Sequence, residues 1–370
     1  MSAGDQRLRV ISGVGVKGPA CFLVEAGDAR ILIDIGKGPE RNAVPDLEGL
    51  SPLDAVILSH AHPDHVGSLS QLSATPPREV WATGPVWGEI GPSFPLVATR
   101  RTLPLSGEVE VAGIPVETGR SGHAPGGVWL RLSVGGGLLY LGDIDPMTRF
   151  YAYDPPGPVR TVILDASYGG WDRSVDEARA AVLDAVGPGT LLPAPPGGRG
   201  PDLALALHER GCTPALDVDT RAAIEQLCTG AGPGLLLPGR AAELSDLLRA
   251  EVLPDPCMPP GGMPVIAASG SADSGLAAAL ANAGGPDAPR HILFTGHLPS
   301  DSPGARMVAE GRAEQMRWPV HPTRGAQAAL LDALKPARAL PAFCTVEGAR
   351  LLRDALGPVL LDADVREVAL

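Results

Sequence analysis

Three histidines and an aspartate lie within six consecutive positions of the chain, as His60, His62, Asp64 and His65. They follow the apolar residues 55–58, which predict a buried strand. Imidazole and carboxylate groups are ligands of Zn²⁺, and Mn²⁺ or Fe²⁺ also accept them. In extended backbone alternate side chains point to one face, so the imidazoles of His60 and His62 can reach one cation. The sequence therefore predicts a metal site at the end of this strand.

A second cation could lie beside the first. Pro63 suits the first turn of a helix, so Asp64 and His65 would open that helix and face a neighbouring position. Two cations roughly 3.5–4 Å apart can hold a bridging hydroxide and stabilise both oxygens of a phosphoryl displacement. The alternative is an exposed turn that is rich in histidine by chance. Three of the chain's eight histidines lie in this run, which favours a metal-binding segment.

Further polar residues lie at the ends of other predicted strands. His123 is in a glycine-rich turn, and Asp143 ends a Leu-Gly-Asp segment. Each would be an ordinary turn residue if it stood alone, but beside the histidine run we interpret both as ligands, with the Asp143 carboxylate able to bridge two cations. Asp34 lies in the apolar strand 30–35, where a buried carboxylate is costly without a partner. We therefore expect Asp34 to support the site.

Composition limits the classes of protein to which the chain can belong. Its 370 residues are 44% hydrophobic, which is enough for one large domain or two ordinary ones. The net charge of −12 argues against a protein that binds nucleic acid through its overall charge. A local basic groove is not excluded. The five cysteines form no Cys-x-x-Cys pair and are interpreted as thiols of a cytoplasmic protein. The first residues lack the apolar core of a signal peptide, and we expect no membrane partner.

The pattern of the chain changes near residue 170. Short strands separated by Gly, Pro and Asp turns precede this point and predict sheets that a few helices cover. Ser174 and Glu177 then form a capping box that opens a helix. Strands and helices alternate up to about residue 310, which is typical of a parallel sheet. In this part we predict a turn around Arg199, a helix over 202–210 and another over 241–253.

The order of these motifs resembles that of a known family. Asp34, the run from His60 to His65, His123 and Asp143 match, in order, the first four motifs of the metallo-β-lactamase superfamily. Residues 162–170, which read Val-Ile-Leu-Asp-Ala-Ser-Tyr-Gly-Gly, resemble a motif of the β-CASP nucleases. That branch includes ribonuclease J and the pre-mRNA 3′-end endonuclease.

This resemblance implies an α/β fold, namely a metallo-β-lactamase αββα sandwich with a smaller inserted α/β domain of the β-CASP type. Residues 1–170 and 312–370 would form the sandwich, and residues 171–311 would form the insert. It also implies one or two Zn²⁺ ions per chain, with Mn²⁺ as the alternative. The implied ligands are His60, His62, Asp64, His65, His123 and Asp143.

The resemblance further implies a metal-dependent phosphodiesterase in which an activated hydroxide attacks phosphorus. Its substrate would be single-stranded RNA, with DNA as the second candidate, and a second copy of the chain is a candidate partner. Asp64 would help to orient the hydroxide, and Asp165 would hold a protonated His321 that assists the leaving oxygen. Arg199 is the candidate phosphate contact. Solvated turn residues remain the alternative for Arg199 and for His321, which lies between Pro319 and Pro322.

The chain departs from the family at the last motif. Phe343 occupies the position of a metal-binding histidine, and phenylalanine cannot bind a metal. Cys344 is adjacent but should point to the other face of its strand, and His297 is a candidate substitute from elsewhere. The second metal, held by Asp64, His65 and Asp143, is therefore expected to be weaker, exchangeable or absent.

Two other functions stay open. The first is a metallo-hydrolase of a small ester, thioester or phosphodiester, which the acidic charge favours and the Asp165 motif with His321 disfavours. The second is a non-catalytic subunit, which the retention of six ligand residues disfavours. Metal content and a screen of small substrates would separate these functions from a nuclease.

Overall fold

The computed structural model describes residues 6–40, 42–50, 52–74, 76–91, 98–249, 262–285 and 288–370. Contacts divide the chain into two compact units. The first unit comprises residues 1–148, 153–172 and 321–370, and the second comprises residues 149–152 and 173–320. The division drawn from the sequence placed residues 312–320 with the first domain, whereas the contacts group them with the second unit. Cys257 and residues 250–253 of a predicted helix lie outside the described residues.

The first unit contains a mixed sheet of seven strands. These are β1 (Arg7–Ser12), β2 (Cys21–Ala26), β3 (Ala29–Ile33), β4 (Ala55–Ile57), β5 (Glu79–Thr83), β6 (Thr99–Leu103) and β18 (Glu367–Ala369). Their order is β18-β1-β2-β3-β4-β5-β6, and β3 to β6 run parallel to one another. The carboxyl ends of β3 and β4 therefore meet at one edge, where Asp34 and the histidine run follow them.

A second sheet of the first unit has six strands. These are β7 (Gly107–Val111), β8 (Ile114–Arg120), β9 (Val128–Leu132), β10 (Leu138–Tyr140), β11 (Thr161–Asp165) and β17 (Arg338–Ala342). Their order is β17-β11-β10-β9-β8-β7, and β10, β11 and β17 are parallel. The residues at or just after the carboxyl ends of these three strands, Asp143, Asp165 and Phe343, consequently share one edge of the sheet.

Alternating side chains join the two sheets through one core. Phe22 and Val24 of β2 pack in the same cluster as Leu130 of β9, whereas Leu23 packs in another cluster with Leu69. Both faces of β2 are buried for this reason. The helices of the first unit are α1 (Pro63–Val66), α2 (Gly84–Ile90), α9 (Arg324–Leu334) and α10 (Val346–Leu356), with a 3₁₀ turn at Leu69–Ser73. This arrangement confirms the predicted α/β sandwich.

The second unit is built on a parallel sheet. Its strands are β12 (Thr190–Pro193), β13 (Ala215–Leu216), β14 (Val265–Ala267), β15 (His291–Phe294) and β16 (Glu314–Gln315), in the order β13-β14-β12-β15-β16. Its helices are α3 (Val175–Ala185), α4 (Arg199–Glu209), α5 (Val218–Cys228), α6 (Arg240–Leu247), α7 (Gly275–Ala281) and α8 (Pro303–Ala309). In the part of the chain that the structure describes, no helix is long and apolar enough to cross a membrane.

Two local predictions for the second unit have different outcomes. The Ser174 hydroxyl accepts a hydrogen bond from the Glu177 amide and caps α3, as the capping box predicts. The predicted turn is present at residues 196–198, but Arg199 itself is the first residue of α4. Gly198 precedes it with a φ of 118°, and Pro201 is tolerated in the first helical turn, where its missing N–H would have no helical partner.

Candidate metal centre

The backbone changes from extended to helical within the histidine run that follows β4. His62 keeps an extended backbone, with φ −64° and ψ 146°, and is the N-cap of α1. His60 therefore lies on the extended segment, while Asp64 and His65 lie on the first helical turn. Both His60 and His65 are buried. A short stretch of sequence thus supplies four possible ligand side chains, two on extended backbone and two on a helical turn.

Four side chains form the first donor group, namely His60, His62, His123 and Asp143, whose donor atoms all lie within 4.8 Å of one another. His123 Nε2 lies 3.1 Å from His62 Nδ1 and 3.5 Å from Asp143 Oδ2. His60 Nε2 lies 3.7 Å from the same carboxylate oxygen. The structure therefore brings together four of the predicted ligands, from the ends of β4, β8 and β10.

Asp143 also belongs to a second donor group, with Asp64 and His65. Its Oδ1 lies 3.3 Å from His65 Nε2, whereas its Oδ2 faces the first group. Burial alone would raise the pKa of Asp143, but His65 and His321 outweigh burial and hold that pKa well below its usual value. The carboxylate is therefore ionised and directs one oxygen towards each donor group.

The donor atoms suit a divalent cation. His60 Nε2 and His65 Nε2 are buried and make no hydrogen bond within the described residues, although buried polar atoms ordinarily have a partner. Burial, together with the neighbouring His65 and His62, lowers the pKa of His60 well below its usual value. A neutral imidazole is the form that binds a metal. Unpartnered nitrogens beside an ionised carboxylate therefore fit a metal ion of the zinc or manganese type.

Asp34 orients His65. The Asp34 carboxylate is fully buried and accepts hydrogen bonds from the Ser59 amide and hydroxyl, from the Tyr140 hydroxyl, and from His65 Nδ1 at 2.7 Å. Because Nδ1–H donates to Asp34, Nε2 of His65 is left to face the second donor group. A carboxylate that fixes the tautomer of a ligand histidine is common around metals. Asp34 has a φ of 56°, and its four hydrogen bonds hold this uncommon conformation.

Sequence reasoning missed Ser59 and Tyr140 as members of this network. Tyr140 lies at the end of the apolar strand β10, where its ring packs 5.5 Å from that of Phe22. The one available signal was a hydroxyl at the end of a buried strand, since a buried tyrosine hydroxyl usually has a hydrogen-bond partner. Which partner it finds depends on the facing sheet.

A third group joins Asp143 to Asp165 and His321. His321 Nδ1 donates to Asp165 Oδ2 at 2.9 Å, and the Ile144 and Ser167 amides donate to the same carboxylate. Burial lowers the pKa of His321, but Asp165 and Asp143 outweigh it, so that this pKa is raised. The side chain of His321 is 13% exposed, which distinguishes it from a solvated turn residue.

Phe343 lies against the second donor group. Its ring centroid is 5.1 Å from that of His65, edge to face, and it also packs on Phe22 and Tyr140. Its φ of 62° is rare for a bulky residue. Cys344 is buried, and burial and then Asp165 raise the pKa of its thiol to about 12. The three donor groups found in the described residues do not include Cys344.

Arg199 and His297 belong to the second unit. The guanidinium of Arg199 lies directly against Gly296, where an added Cβ would approach it to 2.3 Å. Residue 296 therefore has no room for a side chain in this conformation. The first turn of α4 fixes the backbone of Arg199. The missing side chain at Gly296 leaves room for the Arg199 guanidinium.

Comparison with known proteins finds a family match over part of the chain. Residues 14–189 match the metallo-beta-lactamase superfamily. A solved structure described as a protein of unknown function from Enterococcus faecalis covers 99% of this chain and 100% of its own, with a TM-score of 0.59 and 14% identity, which shows the fold alone. Residues 14–189 therefore confirm the metallo-beta-lactamase domain that the motifs predicted.

Curated relatives are similar over shorter parts. The transcription termination factor FttA of Methanosarcina mazei is 32% identical over 45% of this chain and 32% of its own length. FttA of Methanocaldococcus jannaschii is 28% identical over 56% of this chain and 40% of its own. Ribonuclease Z of Methanopyrus kandleri is 30% identical over 39% of this chain and 52% of its own. The chain thus spans less than half the length of the termination factors and about half that of the ribonuclease.

The superfamily and the donor groups together support a metal-dependent hydrolase. Its polar groups meet at the edges of two facing sheets, where strands β4, β8, β10 and β11 end. One carboxylate, Asp143, belongs to all three donor groups.

Proposed function

We propose that this protein is a metal-dependent phosphodiesterase that cleaves RNA, with DNA as the second candidate substrate. The observation that supports this most is the position of the Asp165–His321 pair, because Asp143 links it directly to the metal-ligand cluster. A hydrolase of this kind needs both an activated nucleophile and a proton for the leaving oxygen. The names of the similar proteins, a transcription termination factor and a ribonuclease, agree with a nucleic-acid substrate.

The proposed first metal site consists of His60, His62, His123 and Asp143, and the proposed weaker second site consists of Asp64, His65 and Asp143. Zn²⁺ suits both donor sets, and Mn²⁺ is the alternative. A divalent cation in such a site lowers the pKa of water and stabilises charge on phosphoryl oxygens. The ring of Phe343 lies beside that of His65, and we propose that a ligand side chain at this position would close the second site.

The residues of the chain then divide the remaining work. Asp64 accepts a hydrogen bond from the attacking water and orients it. Asp165 keeps the proton of His321 on Nδ1, so that the Nε2 proton of the imidazolium is free to pass to the leaving oxygen. Asp34 holds the His65 ring in place. Arg199 keeps its proposed role as a phosphate contact of the second unit, which we propose to be the β-CASP-like insert.

The alternative function is a metallo-hydrolase of a small ester, thioester or phosphodiester. The net charge of −12 favours it over a long polyanion, because nucleic-acid binding depends on neutralising phosphates. The third candidate, a non-catalytic subunit, is supported by Phe343. A bound metal together with turnover of any substrate would contradict the third candidate.

The first test is cleavage by the purified, metal-loaded protein. We expect wild-type protein with Zn²⁺ or Mn²⁺ to cleave single-stranded RNA, and His62→Ala and Asp64→Ala to be slower by more than about 100-fold. A loss of about 100-fold is the upper end of the range for removing a residue that only hydrogen-bonds to a metal ligand, and removing a ligand itself should cost more. Single-stranded DNA, a chromogenic phosphodiester and a thioester complete the substrate panel. If wild type cleaves RNA no faster than the two variants but hydrolyses the thioester, the nuclease proposal is wrong and the small-ester hydrolase is supported.

Replacing Phe343 with histidine tests the second metal site. We expect Phe343→His to bind its second metal more tightly than wild type, because an imidazole would replace the ring that packs on His65. Metal analysis and competition with a chelator measure stoichiometry and affinity. Phe343→Asn is the matched control, since asparagine accepts a positive φ but is a weaker ligand. Unchanged stoichiometry and affinity in Phe343→His would mean that another residue already fills this position.

A further inference from the structure

The loop between β1 and β2, residues 13–20, is fixed at both ends close to the metal centre. On one side the Ala20 amide donates to the Asp64 carbonyl at 2.8 Å, and a Cβ added to Gly18 would lie 3.2 Å from the Cβ of Asp64. On the other side the Phe343 amide donates to the Gly13 carbonyl at 2.7 Å. The loop therefore runs from the second donor group to the end of β17.

Lys17 lies between these two anchor points. It is one of only three lysines in the chain, with Lys37 and Lys335. Its side chain is half-buried, and the neighbouring Val16 is 48% exposed, so this part of the loop reaches solvent. Within the described residues no ion pair or hydrogen bond engages the Lys17 ammonium, whereas most arginines of the first unit have a carboxylate partner. An unpaired cation is thus held at the edge of an acidic centre.

The charge of Lys17 acts on His321, a member of the third donor group, and on Cys344. Burial lowers the pKa of His321 and the two carboxylates raise it, while Lys17 opposes the carboxylates. For Cys344, burial and Asp165 raise the pKa of the thiol, and Lys17 lowers it. The geometry of the loop agrees with this. Gly18, the next residue, lies against Asp64, and Gly15 forms a parallel β-bridge with Thr345, the residue after Cys344.

The centre itself is rich in carboxylates. Asp34, Asp64, Asp143 and Asp165 all belong to it, so an anionic substrate needs positive charge beyond that of a metal. We propose that Lys17 contacts a non-bridging oxygen of the phosphodiester at the metal centre and positions the leaving oxygen towards His321. This rests on the proposed phosphodiesterase function. A compact ammonium with three donors on a flexible stem suits such a contact.

The test compares Lys17→Gln with wild type and with Lys335→Gln. The control removes the same charge from Lys335, at the carboxyl end of α9. The amino end of this helix follows His321, and the helix is eleven residues, or about 16 Å, long. We expect Lys17→Gln to lower kcat/KM for RNA by roughly 10–100-fold, the effect of losing a hydrogen bond to a charged group. We expect Lys17→Arg to recover part of this loss, and metal content to stay unchanged in all three variants.

A binding measurement separates this proposal from the cleavage reaction. The probe is a fluorescent single-stranded RNA with uncleavable linkages, titrated by anisotropy at several salt concentrations. Losing one phosphate contact should make the slope of log K against log salt shallower by about 0.7 for single-stranded nucleic acid. A wild-type protein that neither binds nor cleaves RNA would contradict the proposed function. A wild-type protein that cleaves RNA, while Lys17→Gln matches it in slope and kcat/KM, would overturn the role of Lys17 alone.

Discussion

Asp143→Asn is expected to abolish tight metal binding at both sites and, with it, hydrolysis. Asp143 belongs to all three donor groups, and its two oxygens point to different groups. An amide keeps the shape but removes the charge that offsets two cations. We expect metal affinity to fall by more than about 100-fold, the upper range for losing an outer-sphere partner. Metal analysis after dialysis and a zinc titration measure this change.

Thermal unfolding gives an independent readout of the same variant. A metal that binds only the folded state, present at 100 times its dissociation constant, adds about 2.7 kcal/mol to the free energy of unfolding. Zinc should therefore raise the unfolding temperature of wild type but not that of Asp143→Asn. Asp145→Asn is the control, because Asp145 is a nearby buried carboxylate that belongs to none of the donor groups found in the described residues, and its Oδ1 accepts a hydrogen bond from the Met147 amide. A wild-type metal affinity in Asp143→Asn would contradict the proposed bridging role.

The second large effect is expected at His321. His321→Gln should lower kcat for RNA by about 10²–10⁴-fold, the contribution of a positioned general acid. Metal content should stay at the wild-type level, since the four residues of the first donor group are unchanged. The loss should be much smaller for a nitrophenyl phosphodiester, because its weakly basic leaving group departs without a proton. Steady-state kinetics with both substrates measure this difference.

His291→Gln is a suitable control for that experiment. His291 lies on β15 of the second unit, where it faces Glu314, and it belongs to none of the donor groups found in the described residues. Equal losses on RNA and on the nitrophenyl substrate would show that His321 positions the substrate or supports the structure rather than donating a proton. Loss of metal in His321→Gln would instead make it a ligand.

The chemistry of the site could be predicted because its main signal is local. His60, His62, Asp64 and His65 lie within six residues, so the geometry of one strand end and one helical turn fixes their relation. The capping box of α3 could be predicted for the same reason. Arg199 shows the opposite case, because the glycines on both sides of it and the following Pro201 allow either a turn or the first turn of a helix.

Only the tertiary structure decides how these groups are used. The hydrogen bonds from His65, Tyr140 and His321 to their carboxylates join residues 31, 106 and 156 positions apart, and no local rule sets such distances. Packing of the two sheets brings the ends of β4 and β10 together, so one carboxylate, that of Asp143, belongs to three donor groups. The sequence by itself determined which donor side chains are present and that their imidazole and carboxylate groups suit a divalent cation. Packing of the two sheets decided that Phe343 lies on His65, and hydrogen bonds at both ends of the β1–β2 loop decided that the segment carrying Lys17 lies between Asp64 and Phe343.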